Sequence, residues 1–289
     1  MAKRTKQRGI NFYFLTKKMH RQDLELPALE IWSLINEIKQ LDVIDKILDI
    51  KNDKFMYLDF SEKNTTDTVS LFFTSAKNQF RADLIDRSTG KKRPNPKTDS
   101  EGEQQKTHVC LKISKTEVKV VIEKNGNGVS INQIIDYLNK YNRQLYDGVD
   151  FSISYNHLIR KDILQKIKEL SRVFLAELHV TKQILGDDML GYSNRTTEIK
   201  HDIVLNIKPK RGENIKNAVI DFFNKLNSGL NPTISRLTVK GKDDHKNDVT
   251  LDTLDFIMKD SAWFDLNLNG EVESARAFTI LKAYFNQLF

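Results

Sequence analysis

Cysteine, glycine and proline are scarce in this 289-residue sequence, and long apolar runs are missing. The single cysteine, Cys110, has no partner for an internal disulfide and excludes a cysteine-rich zinc site. No stretch approaches the roughly 20 apolar residues that cross a bilayer. The apolar run 10–15 is too short for the core of a signal peptide, because Lys17 and Lys18 follow it closely. We therefore expect a cytoplasmic protein with no direct membrane insertion.

Positive charge is unevenly distributed along the chain. The formal net charge is +7, and the isoelectric point is near 9.2. Residues 1–22 include seven basic and no acidic side chains, and residues 77–97 include seven basic and two acidic ones. Residues 243–289, in contrast, include nine acidic and four basic side chains. Such segregation gives one face of a protein a net field, which binding to a polyanion requires.

Apolar periodicity in the first half predicts an α+β domain over residues 1–148. Helices are predicted from about Pro27 and after the N-cap Ser130, and strands over 10–15, 54–60, 69–75, 109–113 and 118–122. Residues 86–106 contain no hydrophobic side chain and predict a long basic loop.

The second half predicts another domain over residues 149–289. The predicted segments are 151–155, 159–170, 173–180, 202–207, 213–226 and 237–239. They follow the split βαβ or ferredoxin-like order βαββαβ. A C-terminal helix is predicted over 271–289. The fold class is therefore α+β, with two domains whose sheets are mixed or antiparallel.

One short motif is compatible with a metal-dependent nuclease. Glu198 and Lys200 have the Glu-x-Lys spacing, and Asp187 and Asp188 precede them. In restriction-type nucleases two carboxylates hold a divalent metal beside a lysine that helps to activate water. The triplet is common in a lysine-rich chain, and the Asp pair follows a glycine in a predicted turn, so the nuclease is kept as an alternative.

Other catalytic or metal-binding patterns are weaker. Glu177 and His179 lie two apart on a predicted strand, where an edge-strand polar pair is favoured over two metal ligands. The segment 126–128 lacks the third glycine and the lysine of a phosphate-binding loop, and no serine lies in a nucleophile elbow. Cys110 is predicted to be a structural thiol. We expect a protein with no enzymatic activity, metal or cofactor.

Clusters of lysine and arginine predict a surface that binds phosphates. Lys208, Lys210 and Arg211 lie where a strand ends and a helix is predicted to begin at Glu213. Cations at a helix start oppose the helix dipole unless an anion is bound there. The predicted nucleic-acid contacts are Lys3, Arg4, Lys6, Arg8, Lys17, Lys18, Arg21, Arg87, Lys91, Lys92, Arg93, Lys97, Lys208, Lys210, Arg211, Lys216, Arg236, Lys240 and Lys242.

The order of several segments resembles the RexA-like phage exclusion proteins of phage lambda and other temperate phages. These segments are Phe12-Tyr13-Phe14 with the basic residues after it, 54–60, 202–210 and 234–237. The resemblance implies a dimeric, two-domain protein that binds duplex DNA without sequence preference and acts in phage exclusion or lysogeny control. It also implies a fold similar to the recombination-associated protein RdgC and a membrane-protein partner encoded nearby. The basic start and the basic loop around Lys91 have no match in the family.

The predicted C-terminal helix gives a second reason to expect a homodimer. Its apolar residues, which exceed what docking on a small domain requires, are Phe278, Ile280, Leu281, Tyr284, Phe285, Leu288 and Phe289. The acidic side chains of 243–273 would then compete with DNA for the basic face. If the helix instead packs within its own chain, those acids are ordinary solubilising charge. A further alternative is that the basic face docks on an acidic protein, such as the acidic region of another subunit.

Overall fold

The computed structural model describes residues 4–19, 22–25, 28–79, 81–115, 117–146, 151–180, 203–227 and 234–288. Its helices and antiparallel sheets form an α+β fold, as the sequence predicted. The chain divides into two compact units. The first comprises Met1–Tyr13, Leu26–Val149 and Lys259–Phe289, and the second comprises Phe14–Glu25 and Asp150–Met258.

The elements of both units are numbered in chain order. The strands are β1 (Thr5–Met19), β2 (Gln22–Glu25), β3 (Leu48–Ile50), β4 (Lys54–Lys63), β5 (Thr68–Lys77), β6 (Leu84–Ile85), β7 (Lys92–Arg93), β8 (Gln105–Ile113), β9 (Val118–Lys124), β10 (Phe151–His157), β11 (Arg172–Val180), β12 (Ile203–Ile207), β13 (Ile234–Lys242), β14 (Asp248–Asp252) and β15 (Lys259–Asp265). The helices are α1 (Ala28–Gln40), α2 (Ile131–Leu145), α3 (Asp162–Glu169), α4 (Lys216–Asn227) and α5 (Ser274–Leu288), with a 3-10 turn at Thr253–Phe256. None of these helices is long and apolar enough to cross a membrane.

The first unit is built on a sheet in the order β1-β9-β8-β5-β4-β3. The pairs from β9 to β3 are antiparallel, and β15 pairs antiparallel with the first half of β1, from Thr5↔Asp265 to Asn11↔Lys259. Alternating apolar residues in the sequence predicted two of its hairpins, β4–β5 and β8–β9.

Helix α2 begins at a capping box and is fastened to the sheet by a tyrosine. The Ser130 hydroxyl accepts the N–H of Gln133, and the Gln133 side chain accepts the N–H of Ser130 at 2.9 Å. The Tyr137 hydroxyl accepts the N–H of Leu58 at 3.1 Å and donates to the carbonyl of Lys46 at 3.0 Å. These bonds tie α2 to β4 and to the turn that follows α1.

Helix α5 covers the opposite face of the same sheet. Thr107 on β8 contacts the α2 side, because its hydroxyl accepts the Val129 N–H at 3.0 Å. The next residue, His108, contacts Ser274 at the start of α5 at 2.8 Å. Neighbouring residues of a strand point to opposite faces, so the sheet lies between the two helices.

The position of α5 corrects the sequence-based domain division. Phe278, Leu281 and Phe285 are buried, and α5 packs against β8 and β9 of the first unit. The sequence placed this helix in a domain over 149–289 and at a dimer interface. The pairing of β15 with β1 returns the chain to the first unit, where the described apolar side of α5 is covered by its own chain. This surface therefore gives no support to a homodimer.

The second unit contains a four-stranded antiparallel sheet in the order β12-β11-β13-β14. Its core includes Ile163, Ile167, Val219, Phe223 and Leu237 from α3, α4 and β13. The elements follow the predicted βαββαβ order. However, β10 pairs with β1, and β14 takes the place beside β13. The ferredoxin-like pairing is therefore not formed, because element order alone does not specify which strands become neighbours.

Candidate nucleic-acid interface

A short hairpin in the first unit carries a group of exposed cations. β6 and β7 pair through Leu84↔Arg93 and Ile85↔Lys92, and residues 86–91 form the turn between them. Its four exposed basic side chains, which we call the hairpin cations, are Arg87, Lys91, Lys92 and Arg93. None of these side chains forms an ion pair or a hydrogen bond with another residue that the structure describes. The hairpin therefore presents four unpaired positive charges to solvent.

The turn of this hairpin is held by Asp86. Its Oδ1 accepts the N–H groups of Ser88 and Thr89, each at 2.8 Å, and the Ser88 hydroxyl at 2.6 Å. Gly90 has a φ of 68° and donates its N–H to the Asp86 carbonyl at 2.8 Å. Hydrogen bonds, first from Ser88 and then from Thr89, lower the pKa of Asp86 to about 2. The carboxylate is thus ionised at neutral pH, and the turn is held by the same bonds.

In the rest of the predicted basic loop, 86–106, both lysines are paired with acids. Lys97 Nζ lies 2.7 Å from Glu103 Oε1, and Lys106 Nζ lies 3.6 Å from Glu271 Oε2. Lys97 was predicted to contact nucleic acid, but its charge is paired. The segment is also not one continuous loop, since it contains β7 and the start of β8.

In the second unit, exposed cations lie in the loop between β12 and α4. Lys208, Lys210 and Arg211 are exposed, as predicted. The helix, however, begins at Lys216 and not at Glu213, so these cations do not lie at the helix start. Contrary to the prediction, no helix dipole favours a phosphate beside these residues, although the three charges are accessible.

Lys216 has a structural role that the sequence did not predict. Its Nζ donates to the carbonyls of Leu170 at 2.8 Å and Lys168 at 3.2 Å, where α3 ends. A lysine that satisfies the last carbonyls of a helix stabilises that helix end. Lys216 is therefore removed from the predicted DNA contacts.

The predicted contacts on β13 are paired with acids of neighbouring strands. The pairs are Arg236 with Asp252, Lys240 with Glu177 and Lys242 with Asp248. Burial alone would raise the pKa of Asp252, but the hydrogen bonds from Arg236 and other donors hold it below its ordinary value. Glu177, considered as a metal ligand, lies 2.9 Å from Lys240 Nζ. The charges of these three cations are therefore paired within the sheet.

The basic residues near the N-terminus have different surroundings. Arg4, just before β1, and Lys6, in its first part, are exposed. The ammonium group of Lys17 lies 4.1 Å from the centre of the Phe151 ring, in a cation–π contact. Lys3 and Arg21 lie outside the described residues, and for Lys18 only the backbone is described, within β1.

Arg8 belongs to a buried polar network and not to the surface. Its Nη1 lies 2.9 Å from Glu123 Oε2, and Glu123 Oε1 accepts the N–H of His108 at 2.9 Å. The ring of His108 contacts Glu123 through Nδ1 at 2.5 Å and Ser274 through Nε2 at 2.8 Å. Burial alone would raise the pKa of Glu123, but the hydrogen bonds from His108 and the charge of Arg8 lower it. Arg8 therefore pairs with Glu123 and does not form the predicted DNA contact.

The remaining candidates give no catalytic site in the described part of the chain. Asp187, Asp188, Glu198 and Lys200, the residues of the nuclease alternative, lie outside the described residues. No group of three or more histidine, cysteine or acidic side chains is placed to hold a metal among the residues described. Cys110 is buried, and its burial raises the pKa of the thiol to about 12, as a structural thiol requires.

The turn of the β6–β7 hairpin and the His108–Glu123 pair were not predicted, although the sequence contains a signal for each. Asp86 and Gly90 are a typical turn pair, but the strands beside them are two residues long and too short for a periodicity. The register of the predicted hairpin 109–113 with 118–122, extended by one residue, places His108 opposite Glu123.

Comparison with protein-family models and with curated proteins identifies no relative. No protein-family model matches the chain, and no curated protein matches it significantly.

Proposed function

We propose that this protein binds duplex DNA through its phosphates and without sequence preference. The observation that carries the proposal is the hairpin, whose four cations are exposed and unpaired in the described structure. Lysine and arginine side chains on a two-stranded ribbon suit contacts to the backbone of a groove, and such contacts carry no sequence information directly. Lys208, Lys210 and Arg211 would add contacts from the second unit.

The biological role is proposed from the resemblance to the RexA-like proteins. That resemblance supports phage exclusion or lysogeny control, with action on DNA in the cytoplasm and a membrane-protein partner encoded nearby. The homodimer is retained from the resemblance alone. Binding through phosphates requires no chemical step, metal or cofactor, so plasmid DNA should stay intact with the protein and Mg²⁺. Cleavage would favour the nuclease alternative.

The proposal predicts strongly salt-dependent affinity. If about six phosphates are neutralised, the dissociation constant should rise on the order of a thousandfold between about 50 and 200 mM salt, because condensed counterions are released on binding. A gel-shift titration with a random-sequence duplex at both concentrations measures this. Affinity that is flat across this range would contradict phosphate binding. Absence of any shift would favour docking on an acidic protein.

A separate prediction concerns the loop of the second unit. Replacing Lys208, Lys210 and Arg211 together with alanine should weaken DNA binding about a hundredfold at roughly 0.15 M salt if each contacts one phosphate. The side chains are exposed, so the free energy of unfolding should change by less than about 0.5 kcal/mol. The measurements are anisotropy of labelled duplex DNA and thermal melting. Unchanged affinity would show that cations other than these three form the interface.

A further inference from the structure

A second polar feature of the first unit is a cavity of about 880 Å³. It lies where α2 begins. Its walls are formed by the turns before β4 and α2 and by the ends of β5, β8 and β9. This volume is within the range of small-molecule sites, which is roughly 300–1,000 Å³. The proposed duplex contacts on the hairpin do not use it.

Positive charge predominates in the cavity wall. Four lysines line it, namely Lys51, Lys54, Lys77 and Lys124. The two acidic residues in the wall are each engaged elsewhere, since Glu103 pairs with Lys97 at 2.7 Å and Glu123 pairs with Arg8 at 2.9 Å. Lys51 and Lys124 are exposed and have no ion-pair partner among the described residues. The cavity is therefore suited to an anion.

The neutral polar side chains in the wall are mainly carboxamides. The side chains of Asn11, Asn52 and Asn127 line the cavity and form no hydrogen bond with any residue that the structure describes. A carboxamide both donates and accepts, which matches the mixed donors and acceptors on the edge of a nucleobase. The cavity thus combines cations with groups that can bind a polar heterocycle.

The wall is preformed and not a loose surface loop. A side chain at Gly128 would place its Cβ 2.1 Å from Thr107 Oγ1, so the turn requires glycine. Lys54 Nζ donates to the carbonyls of Asn127, at 2.9 Å, and Gly128. The capping box at Ser130 then fixes the start of α2, whose positive dipole end faces this region.

We propose that this cavity binds a nucleoside 5′-phosphate, either as a free nucleotide or as the 5′-phosphorylated end of a strand. Lys51 and Lys124 hold the phosphate, and the three asparagines contact the base or the sugar. This site goes beyond the proposed duplex binding, because it recognises a single phosphorylated unit inside a cavity.

Isothermal titration of the full chain tests the proposal with two classes of ligand. Adenosine and guanosine mono- and triphosphates represent free nucleotides, and single strands with and without a 5′-phosphate represent strand ends. Saturable binding of either phosphorylated class is expected, at least tenfold tighter than binding of the unphosphorylated nucleoside or strand. No binding by either class, or inorganic phosphate binding as tightly as the nucleotides, would overturn the proposal.

Two variants separate this site from the hairpin. Lys51→Ala with Lys124→Ala should weaken binding of the phosphorylated ligand at least tenfold and leave the melting temperature unchanged, because both side chains are exposed. Replacing the four hairpin cations with alanine should leave that binding unchanged, whatever it does to duplex affinity. A Lys51/Lys124 variant that binds like the wild type refutes the site even if duplex binding is confirmed.

Discussion

Replacing all four hairpin cations with alanine should weaken duplex-DNA binding about a thousandfold at roughly 0.15 M salt. Each phosphate contact releases close to one condensed counterion, so loss of four contacts removes about 3.6 from the slope of log affinity against log salt. These side chains have no other partner in the described structure, so the change removes charge without breaking an internal contact. Anisotropy titrations at several salt concentrations give both the affinity and the slope.

The control for this variant keeps the charge and changes the side chain. Arg87→Lys with Arg93→Lys should retain most of the affinity and nearly the whole salt slope, because phosphate neutralisation depends mainly on charge. Asp86 and Gly90 stay in place in both variants, so the turn is preserved. A quadruple variant with the wild-type slope would show that the hairpin does not contact phosphates.

The largest expected loss of stability comes from Glu123→Gln. Glu123 is fully buried, and its carboxylate is shared by Arg8 and His108. Removing one partner of a buried ion pair leaves the other charge uncompensated, and the usual cost is about 3–5 kcal/mol. Chemical denaturation at neutral pH measures the free energy of unfolding. The matched control is Glu117→Gln, since Glu117 forms a more exposed pair with Lys119 at 3.0 Å and should cost less than about 1 kcal/mol.

The stability contributed by Glu123 should also depend on pH. Its pKa in the folded protein is lowered from the ordinary value of 4.5. A carboxyl with a lowered pKa contributes stability that is fully present above the unfolded pKa and is lost as pH falls through the folded pKa. The difference in the free energy of unfolding between the wild type and Glu123→Gln should therefore shrink as the pH is lowered below about 4.5. A difference that is constant down to the acid transition would contradict an ionised Glu123.

The sequence predicted those elements whose signal is local. Alternating apolar residues predicted the β8–β9 hairpin, and Ser130 marked the start of α2. The acidic segment 243–273 was predicted only as charge, although it forms β14 and β15. These strands are short and amphiphilic, and pairing with other strands determines their place. β14 pairs with its neighbour β13, whereas β15 pairs with β1, which is distant in the sequence.

The availability of each cation could not be predicted from composition. Arg8 and Glu123 are 115 residues apart, and Lys240 and Glu177 are 63 residues apart, yet both pairs are formed. The hairpin cations differ because the only acid in their turn, Asp86, is engaged by N–H and hydroxyl groups. Net charge along a segment thus indicated a basic region, while the pairing across strands decided which side chains remain accessible.

Because β1 pairs with β15, one edge of β1 lacks its partner strand during most of protein synthesis. Residues Thr5–Asn11 are made about 250 residues before their partners Lys259–Asp265. At ribosomal rates of roughly 5–20 residues per second, that edge of β1 has no partner strand for about 10–50 s. An uncovered edge can pair with the same strand of a neighbouring nascent chain, and positive side chains on it oppose this. Lys6 on this edge and Arg4 just before it can thus protect the growing polypeptide from aggregation during synthesis, independently of any DNA binding by the finished protein.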